Sequence, residues 1–189
     1  MTNKNQIIKI LEAGGIGVMP TDTIYGLVGQ ALNKKTVERL YSARRRNPEK
    51  PLIILISSYG DLELLGIEPG EGDKDILKRF WPGQVSVILP CRLAKLKYLH
   101  RGTETLAVRL PAKKWLRDLI KQTGPLVAPS ANPEGVKSAD NLAEAQDYFG
   151  DQIDFYYGPS ATLHASKPST LVKLENGKIE ILRQGAVKI

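Results

Sequence analysis

At 189 residues and 42% hydrophobic, the chain has the length and apolar content of one globular domain spanning residues 1–189. Its single cysteine, Cys91, excludes an internal disulfide framework and a cysteine-based zinc cluster, and it suits a reducing cytosol. A formal charge of +7 biases the chain toward anionic partners, whether nucleotides, nucleic acid or acidic surfaces, without choosing among them.

The N-terminal stretch MTNKNQIIKIL lacks the apolar core and small-residue cleavage site of a leader, and no apolar run nears the roughly 20 residues that cross a bilayer. The expectation is a cytoplasmic protein with no membrane partner. Asn3 or Thr2 can cap a first helix carrying Ile7, Ile8 and Leu11 on one face and ending at Gly14-Gly15. Ile16 to Met19 reads as a short buried strand, followed by the PTDT loop, where Thr21 and Asp22 fit turn or cap roles. Val37, Leu40 and Tyr41 mark a second helix that ends near Arg44, Arg45 and Arg46, because Pro48 and Pro51 resist continuation. Residues 51–57 form the best strand pattern of the chain.

Ile76, Leu77 and Phe80 space as a helix stopped by Pro82-Gly83, and strands are expected at 84–89 and 106–110. Between residues 92 and 117 eight cations face only Glu104, an excess equal to that of the whole chain and consistent with either a polyanion-binding face or a merely soluble one. Trp115, Leu116, Leu119 and Ile120 predict a helix closed by Gly124, residues 125–129 a strand, and residues 142–149 a helix. In LVKLENGKIEIL, a two-residue turn at Asn176-Gly177 sets Glu175 opposite Lys178, Leu174 opposite Ile179, Lys173 opposite Glu180 and Val172 opposite Ile181. Opposite charges then share one face and aliphatics the other, as a half-buried hairpin requires. Strands alternating with helices predict an α/β fold built on a twisted mixed sheet with flanking helices.

Several chemistries are unsupported. His100 and His164, the only histidines, neighbour no GxSxG motif, and there is no GxxxxGK[ST] or GxGxxG loop, no HExxH and no EF-hand. What remains is a series of short polar motifs at element ends: PTDT (20–23), RRRNPEK (44–50), VRLP (108–111), APSAN (128–132), KPST (167–170) and ILRQG (181–185). Each joins an apolar segment to hydroxyl, amide or guanidinium groups, which suits a phosphorylated ligand at a sheet edge and equally suits turn chemistry.

Taken in this order, from PTDTIYGL through KPLIILI, FWPG, VRLP and PSAN to STLV and ILRQG, the motifs resemble the YrdC-like family of threonylcarbamoyl-AMP synthases over nearly the whole chain. The resemblance implies a twisted α/β fold with a large concave basic cavity. It implies a nucleotidyltransferase that makes threonylcarbamoyl-AMP and pyrophosphate from L-threonine, bicarbonate and ATP, with Mg²⁺ carried on the ATP phosphates and no protein metal site. Downstream transferases and position 37 of tRNA would be its partners. A double-stranded RNA or tRNA-binding paralogue without synthase activity is the alternative. Matched residue by residue, the family's K-x-R and S-x-N pairs fall on Arg44 and Arg46 and on Ser130 and Asn132, which are the implied catalytic groups. Arg46, Lys50, Thr105, Ser130, Ser138 and Arg183 resemble ATP contacts, and Thr23, Arg109 and Ser169 threonine contacts. The chain departs from the family at Arg44 for lysine, Asn47 for proline, Leu55 for a frequent histidine and Glu134 for serine.

Overall fold

The computed structural model describes residues 3–159, 167–175 and 177–189, so Thr2, His164 and Asn176 lie outside the described residues. Asn3 caps α1 (Lys4–Glu12): its side chain accepts from the Gln6 backbone while the Gln6 side chain reaches back to the Asn3 N–H, a reciprocal capping box. Gly14, at φ +83°, ends the helix as the Gly-Gly pair predicts. β1 (Gly17–Pro20) and β2 (Tyr25–Gln30) then pair antiparallel around the PTDT turn. β2 was not anticipated. Its two glycines obscure the pattern, yet both serve close approach: a Cβ on Gly29 would stand 2.6 Å from the Thr36 methyl, and one on Gly26 would stand 3.0 Å from the Thr21 methyl.

α2 (Lys34–Ala43), capped by the Asn33 side chain, leads through the arginines to β3 (Ile53–Leu55), which is shorter than the 51–57 run suggested. α3 (Asp61–Leu64) and α4 (Glu71–Phe80) precede β4 (Val85–Pro90). α5 (Lys97–His100), β5 (Thr105–Arg109), α6 (Lys114–Thr123), β6 (Leu126–Val127), α7 (Leu142–Phe149), β7 (Phe155–Tyr156), β8 (Thr170–Glu175) and β9 (Lys178–Arg183) complete the chain.

Among the described residues nine strands form one mixed sheet in the order β7-β1-β2-β6-β3-β5-β4-β8-β9, with β1–β7, β3–β5 and β4–β8 parallel and the other pairs antiparallel. Alternate strand residues feed two cores, one on each face. Val18, Leu27, Ile54 and Val87 pack with Val37 and Leu40 of α2, Leu77 of α4 and Phe149 of α7. Met19, Val28, Leu55 and Leu126 pack with Ile7 and Leu11 of α1 and Leu116, Leu119 and Ile120 of α6. Helices on both faces of a mixed sheet are the architecture that the alternating pattern predicts.

The hairpin keeps the predicted register at all four pairs. One-sided burial holds for Val172 and Leu174 but fails on β9, the edge strand, where Ile181 and Leu182 are 44% and 48% exposed. The ammonium of Lys173 also pairs along its own strand with Glu175 at 2.7 Å rather than across to Glu180.

Candidate active site

The register slips once. Beyond the Val172–Ile181 pair an unbroken ladder would set Leu182 opposite Leu171, but a bulge sets Arg183 there. Leu171 lines a cavity of about 360 Å³, so the bulge presents a guanidinium to that cavity in place of an aliphatic side chain. Arg183 donates from Nη2 and Nε to the Ser169 carbonyl at 2.8 and 3.3 Å, which fixes it beside the entry to β8.

A second cavity, of about 180 Å³, adjoins the first, and Ile53, Ser130 and Arg183 line both. Thr23, Arg109, Ser138 and Ser169 line the smaller lobe, whereas Arg44, Arg46 and Thr105 line the larger. Together the lobes reach the roughly 300–1,000 Å³ of small-molecule sites. Nine of the eleven expected site residues thus converge from the PTDT turn, the arginine segment, β5, the β6 exit and the hairpin. Ser138, expected near ATP, lies in the lobe that holds Thr23 and Arg109.

The smaller lobe is built around a buried ion pair. Arg109 ends β5 at 3% exposure, and its Nη2 lies 3.0 Å from Asp22 Oδ1 and 3.4 Å from Thr23 Oγ1, while Nε has no protein acceptor among the described residues. Burial lowers the Arg109 pKa and the Asp22 charge opposes that shift. Asp22 is therefore not the local cap that its motif suggests; its Oδ2 accepts from the Ala112 N–H at 3.3 Å, locking the turn to the segment after β5. Thr21 does act locally, donating to the Ile24 carbonyl at 2.8 Å with its oxygen 3.1 Å from Thr23 Oγ1. Gln84 ties the same turn down by a bond to the Asp22 carbonyl.

Two expected residues line neither cavity. Asn132 is engaged within the protein: its side-chain amide donates to the Pro133 and Val136 carbonyls at 2.8 Å each, and its backbone carbonyl accepts from Arg44 Nε at 2.8 Å. Arg44 is 3% exposed, and burial and the neighbouring Arg46 lower its pKa to about 10, which leaves it cationic at neutral pH. It lines the larger lobe while its fork is committed to the Asn132 carbonyl and, at 3.3 Å, the Ser130 hydroxyl. Arg46 instead bonds the Lys50 and Pro51 carbonyls and keeps its charge unpaired among the described residues.

Lys50 is the other. Its ammonium pairs with Glu134 at 2.6 Å, and the second carboxylate oxygen of Glu134 accepts the Asn47 N–H at 2.6 Å. These bonds join two departures from the family pattern: asparagine supplies an N–H that proline lacks, and glutamate supplies the acceptor that reaches it. A third departure lies elsewhere, since Leu55 is buried in the smaller core and lines neither lobe.

The cations of residues 92–117 do not form a single outer face. Arg101 stacks 3.9 Å above the Tyr41 ring and pairs with Glu38 at 3.0 Å, Arg109 is internal, and Lys113 donates to the Thr21 carbonyl at 3.1 Å. Sequence reasoning missed Asp22 as a partner of Arg109, along with the apolar lining residues Ile53 and Ala128. The repeated placement of polar groups after buried strands was the available signal.

Comparison with known proteins agrees with this arrangement. A family model described as telomere recombination, Sua5/YciO/YrdC, matches residues 9–185. The chain is 33% identical over 181 residues to a threonylcarbamoyl-AMP synthase of Pyrococcus abyssi, covering 95% of this chain and 53% of that protein. It is 34% identical over 171 residues to a threonylcarbamoyl-AMP synthase of Idiomarina loihiensis, covering 87% of this chain and 90% of that one. A crystal structure of P. abyssi Sua5 complexed with L-threonine superposes with a TM-score of 0.86 at 32% identity, over 97% of this chain and 55% of that chain. The chain therefore spans about half the length of the Pyrococcus protein and most of the Idiomarina one.

Proposed function

The chain belongs to the Sua5/YciO/YrdC family, and on that premise we propose that it makes L-threonylcarbamoyl-AMP and pyrophosphate from L-threonine, bicarbonate and ATP. The observation that carries this reading is the pair of joined lobes, one centred on Arg109, Thr23 and Ser169, the other edged by Arg46 and Thr105, with Ser130 and Arg183 between them. The L-threonine complex of the Pyrococcus relative supports an amino-acid substrate, and the buried guanidinium of Arg109 is the reason for assigning it to the smaller lobe. Chemistry supports it too. The amine of threonine forms a carbamate with bicarbonate by loss of water, or with CO₂ by loss of a proton, and a carbamate oxygen then attacks the α-phosphorus of ATP as pyrophosphate leaves. No protein nucleophile is required, only positioning and positive charge.

In this reading Arg109 grips the threonine carboxylate through parallel hydrogen bonds, with Thr23 and Ser169 beside it. Arg46, Thr105, Ser130 and Arg183 contact ATP, Ser138 lines the amino-acid lobe, and Arg44 with Asn132 shapes the wall behind them. Lys50 reaches the phosphates only by leaving Glu134. The proposal puts Mg²⁺ on the ATP phosphates as part of the substrate, where it would offset their negative charge. We assign residues 1–189 to one catalytic unit, acting in the cytoplasm upstream of transferases that form N6-threonylcarbamoyladenosine at position 37 of tRNAs.

The test is pyrophosphate release from ATP, expected only with L-threonine and bicarbonate both present. A rate unchanged by omitting threonine overturns the reading. Arg46→Ala should cost on the order of 3 kcal/mol of transition-state stabilisation, and a loss below about tenfold would remove Arg46 from the site.

A further inference from the structure

β4 is apolar except at one buried position. Val85, Val87 and Leu89 enter the larger core, while the opposite face carries Ser86, fully buried, and Ile88, which lines the larger lobe. Among the described residues the Ser86 hydroxyl has a single partner, the Ser169 hydroxyl, at 2.9 Å. Ser169 is itself 1% exposed, lines the smaller lobe and accepts from Arg183 Nη2 at 3.3 Å.

Counting protons decides how the two hydroxyls point. A serine hydroxyl has one hydrogen and two acceptor lone pairs, and Arg183 takes one lone pair of Ser169. If Ser169 donated to Ser86, the Ser86 hydrogen would be left without an acceptor in a fully buried position, which is costly. If Ser86 donates, both lone pairs of Ser169 are used, and its one hydrogen is left for an acceptor in the cavity. The second arrangement satisfies the buried group and leaves the open valence where a ligand can meet it.

We propose that Ser86 is a positioning residue that makes Ser169 a hydrogen-bond donor toward the anionic oxygen of an amino-acid substrate. The proposal rests on the assignment of the smaller lobe to L-threonine. Ser86 does not line either lobe, so its influence passes through Ser169 alone.

The experiment is a double-mutant cycle read by calorimetric titration of L-threonine without ATP, so that turnover is not needed. Ser86→Ala is expected to weaken L-threonine binding about tenfold while changing ATP affinity less than twofold. In the Ser169→Ala background the same substitution should change L-threonine affinity less than twofold. Equal losses in both backgrounds, an unchanged affinity in the single variant, or a parallel loss for ATP overturns the positioning role and leaves the functional reading intact. A wild-type chain that binds no L-threonine overturns both.

Discussion

Arg183 stands opposite Leu171, where an unbroken hairpin ladder would set Leu182, and its fork holds the Ser169 carbonyl at 2.8 and 3.3 Å. The bulge thereby gives two adjoining lobes a shared cation, whose pKa burial lowers. Arg183→Lys keeps a charge but loses the paired N–H groups. Pyrophosphate release should fall about tenfold, roughly 1.4 kcal/mol. A rate within twofold of wild type would show that charge without the fork suffices.

The Asp22–Arg109 pair is 1% and 3% exposed at its two side chains. Asp22→Asn leaves the guanidinium buried without its counter-charge. Urea unfolding should show a loss of about 3–5 kcal/mol, the usual cost of removing one partner of a buried pair. Unfolding midpoints that coincide with wild type would mean that water reaches Arg109.

Glu134 has a pKa lowered to about 2 from an ordinary 4.5, first through its bond to Lys50 and next through the Asn47 N–H. A depressed carboxylate pKa stabilises the folded chain above the unfolded value, so the contribution is whole above about pH 4.5 and disappears as the pH falls through about 2. Glu134→Gln should melt below wild type at neutral pH, with the gap closing toward about pH 2. A gap independent of pH would place the origin of the effect outside ionisation.

Arg44→Lys introduces the residue type that the family resemblance implies at a position where this chain uses a fork. Lysine cannot supply both the Nε bond to Asn132 and the Nη2 bond to Ser130. Denaturant unfolding should report a loss of about 1.5–3 kcal/mol, the range for hydrogen bonds involving a charged group. A gain in pyrophosphate release in the same variant would show that the arginine exchanges turnover for rigidity.

What could be read from the sequence was local or ordered along it. The capping box at Asn3 and the hairpin register depend on residues a few positions apart, so spacing alone specifies them. The strand expected at 125–129 survives only as Leu126–Val127, and the two-residue β7 exists through pairing with β1, which no local pattern encodes. The site divides in the same way. Motif order located Thr23, Arg109, Ser130 and Ser169, whereas Asp22 passed for a cap because its partner comes much later in the chain. The Asn47–Glu134 bond spans 87 residues, and Lys50 was read as free to meet phosphate because its counter-ion lies 84 residues away.

The parallel pairing of β8 with β4 sets Thr170 beside Val85, and β9 attaches only through β8. One wall of both lobes is therefore synthesised after the other strands of the sheet. A nascent chain can form its first strands and helices while the pocket still stands open on that side, and closing it requires a long loop to be spanned late, a slow kind of contact. Competence to bind should consequently arrive in one step once the β8–β9 hairpin has been made, not grow with chain length, and trimming back past Ser169 should abolish it while leaving much of the helical framework in place.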